Sequence, residues 1–130
     1  MSKNYLKKII AKSSTDLQYI SACCHKAKIS EVKYLSKNSI FLMYLERYNI
    51  ESEDKKSKIN SIINFSYIES VRSKKINQKD PNLILELITI DVFKKNNKYE
   101  IVLLFSGGEI INLTAEIIEI ILEDIKKIND

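Results

Sequence analysis

The chain has 130 residues, 45% hydrophobic and 29% charged, with two Gly and one Pro. That composition excludes disordered and low-complexity classes and fits a single domain spanning 1–130, able to bury roughly two-thirds of its unfolded surface. A formal net charge of +4 admits an anionic partner, yet all but two of the 21 cations are lysine, scattered in pairs along the chain, whereas electrostatic steering needs charge focused on one face.

Residues 1–12 form a basic N-terminal segment with room for an extra strand. Only Ile9-Ile10-Ala11 precedes Lys12, too short for a signal-peptide core, and no run approaches membrane-spanning length. Cys23 and Cys24 are adjacent and have no other cysteine to pair with, which favours a reducing compartment. A cytoplasmic location with no membrane span is expected.

Ser13-Ser14-Thr15-Asp16 opens a helix, with hydroxyls as caps and an acid in the first turn. Leu17, Ile20, Cys24 and Ala27 mark its buried stripe, and it should end near Lys28. Extended segments follow at Ile29–Leu35 and Ile40–Leu45, the second apolar on both faces and therefore central. Asn49–Lys58 reads as a polar, mobile loop. Ile59–Phe65 and Ile68–Lys74 flank a bend at Ser66-Tyr67, and Asp80-Pro81-Asn82 is a turn. Leu83–Phe93 alternates, and Lys94-Lys95-Asn96-Asn97 closes a hairpin. Lys98 to Phe105 is again extended, Ser106-Gly107-Gly108-Glu109 reverses the chain, and Glu109–Leu113 runs back. Thr114 sits where a helix N-cap belongs, with Ile117, Ile118, Ile121, Leu122, Ile125 and Ile128 at helical spacing beyond it. The expectation is an α+β fold. It has an N-terminal helix, about seven antiparallel strands in a curved sheet or pleckstrin-homology-like barrel, and a C-terminal amphipathic helix.

Leu6–Ala11, Asp16–Ala22, Phe65–Ser73, Asp80–Leu85, Phe105–Ile110 and Leu122–Ile125 together resemble, in order, an alphaproteobacterial domain-of-unknown-function family numbered 2948. The resemblance spans most of residues 6 to 125. It implies a small cytosolic domain and supplies no catalytic residues.

Cys23-Cys24-His25 cannot build a zinc site alone, because consecutive helical residues diverge by about 100° and no other Cys or His exists. His25 is also the only base for a hydrolase triad. Gly107-Gly108 joins two strands rather than leading into a helix N-terminus, so it is not a phosphate loop. Glu51, Glu53 and Asp54 read as a solvated loop. Glu123 and Lys127 form an i,i+4 pair on the expected last helix. No catalytic residue, metal or cofactor is assigned.

The binding candidates are Arg47, Tyr48, Arg72, Lys33 and Lys37. Arginine offers a planar fork that lysine cannot copy, so two arginines in a lysine-rich chain point to bidentate geometry. Either they recognise a partner, or they pair internally with acids such as Glu46 and Glu69. The leading expectation is a non-catalytic binding or interaction domain, with a protein partner ahead of a nucleic acid. The rivals are an electrostatic binder of RNA or anionic lipid headgroups, and an enzyme of unrecognised type. Oligomeric state is not legible in the sequence.

Overall fold

A computed structural model describes residues 6–49, 57–77, 80 and 82–127. The elements are β1 (Lys8–Ala11), α1 (Ser14–Cys23), β2 (Lys28–Leu35), β3 (Ile40–Tyr48), β4 (Lys58–Phe65), β5 (Ile68–Lys74), β6 (Leu85–Lys95), β7 (Lys98–Phe105), β8 (Ile110–Ala115) and β9 (Ile120–Lys127). A 3-10 turn at Ser36–Asn38 links β2 to β3. All nine strands pair antiparallel in the order β1-β9-β4-β3-β2-β6-β7-β8-β5, so β1 and β5 end the sheet.

The α+β expectation is corrected in two places. Among the described residues the protein is a mostly antiparallel, open sheet of nine strands with one short α-helix, not a seven-stranded barrel closed by a C-terminal helix. The strands β2 to β8 are the seven that local patterning reveals; β1 and β9 are additional.

The C-terminal segment is a strand because its burial has period two. Ile118, Ile120, Leu122 and Asp124 are buried, whereas Ile117 and Ile125 are about half exposed. The segment is isoleucine-rich, and β-branched side chains pack well on a pleated surface. It fills the gap between β1 and β4, pairing Ile120 with Ala11 and Phe65. Thr114 therefore caps nothing; its hydroxyl donates to Glu100 at 3.0 Å. The helical i,i+4 spacing expected of Glu123 and Lys127 gives way to strand spacing, which sets backbone positions four apart about 13 Å from each other.

The one α-helix begins as its capping chemistry predicts. Ser13 Oγ accepts from the Asp16 N–H at 3.2 Å, and Leu17, Ile20, Cys24 and Ala27 are all buried. It stops at Cys23, short of Lys28, because β6 captures the chain. Lys26 turns left-handed (φ 66), and its N–H donates to Leu87 O at 2.7 Å, while Leu87 N donates to Ala27 O at 2.9 Å. Ser21 fastens the helix to the same strand by accepting from the Ile90 N–H at 2.9 Å.

Turn chemistry sets the remaining corners. Gly108 has φ +85 in the β7–β8 reversal, a conformation L side chains rarely adopt. Asn96, at φ 51, turns the β6–β7 hairpin. One core runs through the sheet, built from Phe41, Met43, Leu45, Ile63, Phe65, Leu87, Ile101, Leu103, Leu113 and Leu122 with the helix stripe. β3 lies between β2 and β4 as a central strand, but its apolar run is not buried on both faces. Phe41, Met43, Leu45 and Arg47 point inward, and Ile40, Leu42, Tyr44 and Glu46 are only partly covered. The expected loop at Asn49–Lys58 falls largely outside the described residues.

Candidate functional site

The inward face of β3 ends in a charge. Arg47 is only 1% exposed, and its Nε and Nη2 donate to the two oxygens of Asp124 at 3.0 and 2.8 Å. Its Nη1 donates to Tyr48 O at 3.2 Å. Asp124 is further satisfied by Ser61 Oγ at 2.6 Å and the Lys7 N–H at 2.9 Å. Three strands and the chain entering β1 thus meet at one carboxylate. Burial opposes ionisation of both groups. The hydrogen bonds between them outweigh it, holding Asp124 below the usual carboxylate range and Arg47 above the usual guanidinium value. Burial also pushes the neighbouring Cys24 thiol up to about 12, only partly offset by the charge on Arg47, so this cysteine is an inert core group.

The structure does not bring the five sequence candidates to one face. Arg47 is inside, with its donors directed at Asp124 and a main-chain carbonyl. Tyr48 is at the edge of β3, with Lys58 Nζ 5.5 Å from its ring centre. Lys33 pairs with Glu31 at 3.6 Å and lies 5.7 Å from the Tyr44 ring centre. Lys37 is exposed in the 3-10 turn. Arg72 is on the outer face of β5, its side chain 63% exposed, with Nη2 at 3.4 Å from both oxygens of Glu100. Internal pairing therefore holds for both arginines, but with Asp124 and Glu100 rather than Glu46 and Glu69. Asp124 escaped sequence reasoning because the helical reading of its segment hid the alternation that turns it inward.

Two of the surface hollows among the described residues bear on ligand binding. The first is a cleft between β2 and β5. Near the start of β5, Tyr34 Oη donates to Ile68 O at 3.2 Å and Ile68 N donates to Ser39 O at 2.8 Å. Phe41, Leu85 and Ile111 lie among the lining residues with Val32 and Val71, and Ile76 and Leu83 come from the β5–β6 connection, enclosing about 480 Å³. β2 pairs with β6 only at Lys28 and Ile29, so among the described strands the second edge of Ser30–Leu35 has no partner. Val32, Tyr34 and Leu35 on this strand are 37–41% exposed.

The second hollow is on the outer face of β5, β6, β7 and β8. It measures about 460 Å³ and is lined by Arg72, Lys74, Lys95, Phe93, Glu100 and Asn112 among others. Glu100 organises it, accepting from Asn112 Nδ2 at 3.1 Å and Thr114 Oγ1 at 3.0 Å as well as from Arg72. Phe93 is 58% exposed beside these cations.

Among the described residues, no group of three His, Cys, Asp or Glu side chains is placed to hold a metal ion. His25 Nδ1 donates to Ile88 O at 2.9 Å. No helix among the described residues is long and apolar enough to cross a membrane.

The class defined by these features is a small antiparallel-sheet domain with a buried arginine–aspartate pair and an open seam beside β2. The chain belongs to the family described as "Protein of unknown function (DUF2948)", whose model matches residues 7–129. It is similar to a crystal structure of an uncharacterized protein from Neisseria gonorrhoeae, with 18% identity and a TM-score of 0.49 over 74% of this chain and 90% of that one. No curated protein matches it.

Proposed function

We propose that this protein is a non-catalytic interaction domain that binds a protein partner by adding an extended segment along the open edge of β2. The observation that carries the reading is the run Ser30–Leu35, whose second edge has no partner among the described strands, beside a partly apolar cleft. An exposed edge offers a row of main-chain donors and acceptors, and natural sheets normally blunt such edges. Here Glu31 and Lys33 put charge on the run, while Val32, Tyr34 and Leu35 leave apolar surface exposed beside them. Strand addition draws affinity from main-chain hydrogen bonds and specificity from pockets for alternate side chains. At about 3.3 Å per residue the open run spans about 20 Å, enough for a short linear segment.

The test is selection of displayed linear peptides on wild-type protein, followed by titration onto Val32→Asp. Val32 is 38% exposed, so the variant should fold, as its melting curve will report, and it should lose binding. Undiminished binding to folded Val32→Asp would overturn the reading.

A second reading, an anionic partner, is favoured by the outer hollow, where Arg72, Lys74 and Lys95 surround the exposed Phe93. Aromatic and basic side chains on an open sheet suit stacked, single-stranded RNA. It predicts salt-sensitive binding of a fluorescent oligouridylate that weakens in Arg72→Gln/Lys95→Gln. Binding only to anionic lipid vesicles, or no binding at all, would remove it.

A further inference from the structure

We infer that the segment received by the β2–β5 cleft is an extended stretch of protein carrying lysine or arginine among apolar side chains. The inference rests on the strand-addition reading and specifies its partner. In a chain with formal net charge +4, the Asp, Glu, Lys and Arg residues lining this cleft among the described residues are two acids, Glu31 and Asp80. Carboxylates at the rim repel phosphate and attract a cation.

Neither acid is committed to a strong internal partner among the bonds described. Glu31 meets Lys33 at 3.6 Å with both side chains about half exposed, a class of pair worth little and easily exchanged. Asp80 Oδ1 accepts from the Asn82 N–H at 2.9 Å, which fixes the carboxylate in place without neutralising it. Ile29, Val32, Phe41, Val71, Leu83 and Leu85 supply the apolar part of the lining, and Ser30, Ser73 and Asn77 add neutral polar groups. A strand laid along β2 presents alternate side chains to opposite faces. One set faces this apolar lining, and the other reaches the rim where the carboxylates stand. A basic-apolar segment satisfies both sets; nucleic acid satisfies neither.

The experiment uses the full chain and the peptides selected on it. Enriched peptides should carry Lys or Arg beside β-branched or aromatic residues. Their affinity should fall roughly two- to fivefold in each of Glu31→Gln and Asp80→Asn, and by a similar factor when the peptide cation is replaced by glutamine. Amide shifts on titration should concentrate in Ser30–Leu35 and Val71–Ser73.

If the enriched peptides lack cations, or bind Glu31→Gln/Asp80→Asn as tightly as wild type, the inference falls. The strand-addition reading survives that result provided Val32→Asp still abolishes binding. If amide shifts lie elsewhere, or no peptide is enriched, both fall. If wild type sediments as a dimer that Val32→Asp converts to monomer, the occupant is a second copy of this chain, and the inference falls.

Discussion

Arg47 and Arg72 each face a carboxylate, at 2.8 Å in one case and 3.4 Å in the other, but only the first pair is sealed from water. Arg47 and Asp124 are 1% and 0% exposed at the side chain, and the carboxylate takes hydrogen bonds from three residues. Arg72 is 63% exposed and touches Glu100 at the limit of hydrogen-bond length. The difference teaches that the two arginines of a lysine-rich chain stand in unlike settings. Inside, the planar fork is needed because each unmade bond to a buried charge is expensive. Outside, water competes for every donor, so the pair contributes little to stability and the guanidinium remains available to a ligand.

The contrast is tested most severely by removing one partner. Asp124→Ala leaves the Arg47 charge buried without its counter-ion and should cost about 3–5 kcal/mol in urea unfolding. The double variant Arg47→Met/Asp124→Leu should recover most of that loss, since a well-packed apolar pair is often as stable as a buried ionic one. A double variant as unstable as the single would show that packing, not charge pairing, governs the site. Next in size is Arg47→Lys. A single ammonium cannot span both Asp124 oxygens and Tyr48 O, so a loss of about 1.5–3 kcal/mol is expected. Unfolding within about 0.5 kcal/mol of wild type would contradict the buried-fork account.

Acid tests the buried pair. The folded pKa of Asp124 is depressed relative to an unfolded value near 3.9. The stability it supplies is therefore complete above about pH 4 and is lost as pH falls through the lower folded value. The stability gap between wild type and Asp124→Ala should be flat from about pH 5 to 8 and narrow below about pH 4. A gap unchanged well into the acid range would mean the carboxylate is not held ionised by Arg47. The smallest effect belongs to the exposed pair: Arg72→Lys should leave unfolding within about 0.5 kcal/mol of wild type. A loss above about 1 kcal/mol would place Arg72 among the structural arginines.

The strands from β2 to β8, the Ser13 cap and the glycine reversal at Gly108 were legible because each rests on residues only a few positions apart. β9 was not. Isoleucine at 117, 118, 121 and 125 with Leu122 satisfies a helical repeat, while Ile118, Ile120 and Leu122 satisfy a strand repeat, so periodicity alone could not arbitrate. The β-branched content favoured a strand, and Asp124 falling on the buried side of that alternation argued against it until its partner was known. The candidate cleft was half legible: Ile29–Leu35 reads as extended, and β2 occupies Lys28–Leu35. Which of its edges would lack a neighbour is a property of seven other residues of pairing on β3 and two on β6, not of β2 itself.

By itself, then, this sequence determined where the chain turns, where its helix starts and which middle segments extend, since capping, φ preferences and side-chain alternation act locally. Tertiary structure alone decided that the C-terminal segment is a strand. β4 had an edge to pair, β1 needed a neighbour, and the Arg47 charge required the carboxylate that lies 77 positions away. The exposed seam has the same origin: β6 leaves β2 after two residue pairs to join β7, and the edge left behind is a consequence of how the sheet divides, which no local pattern encodes.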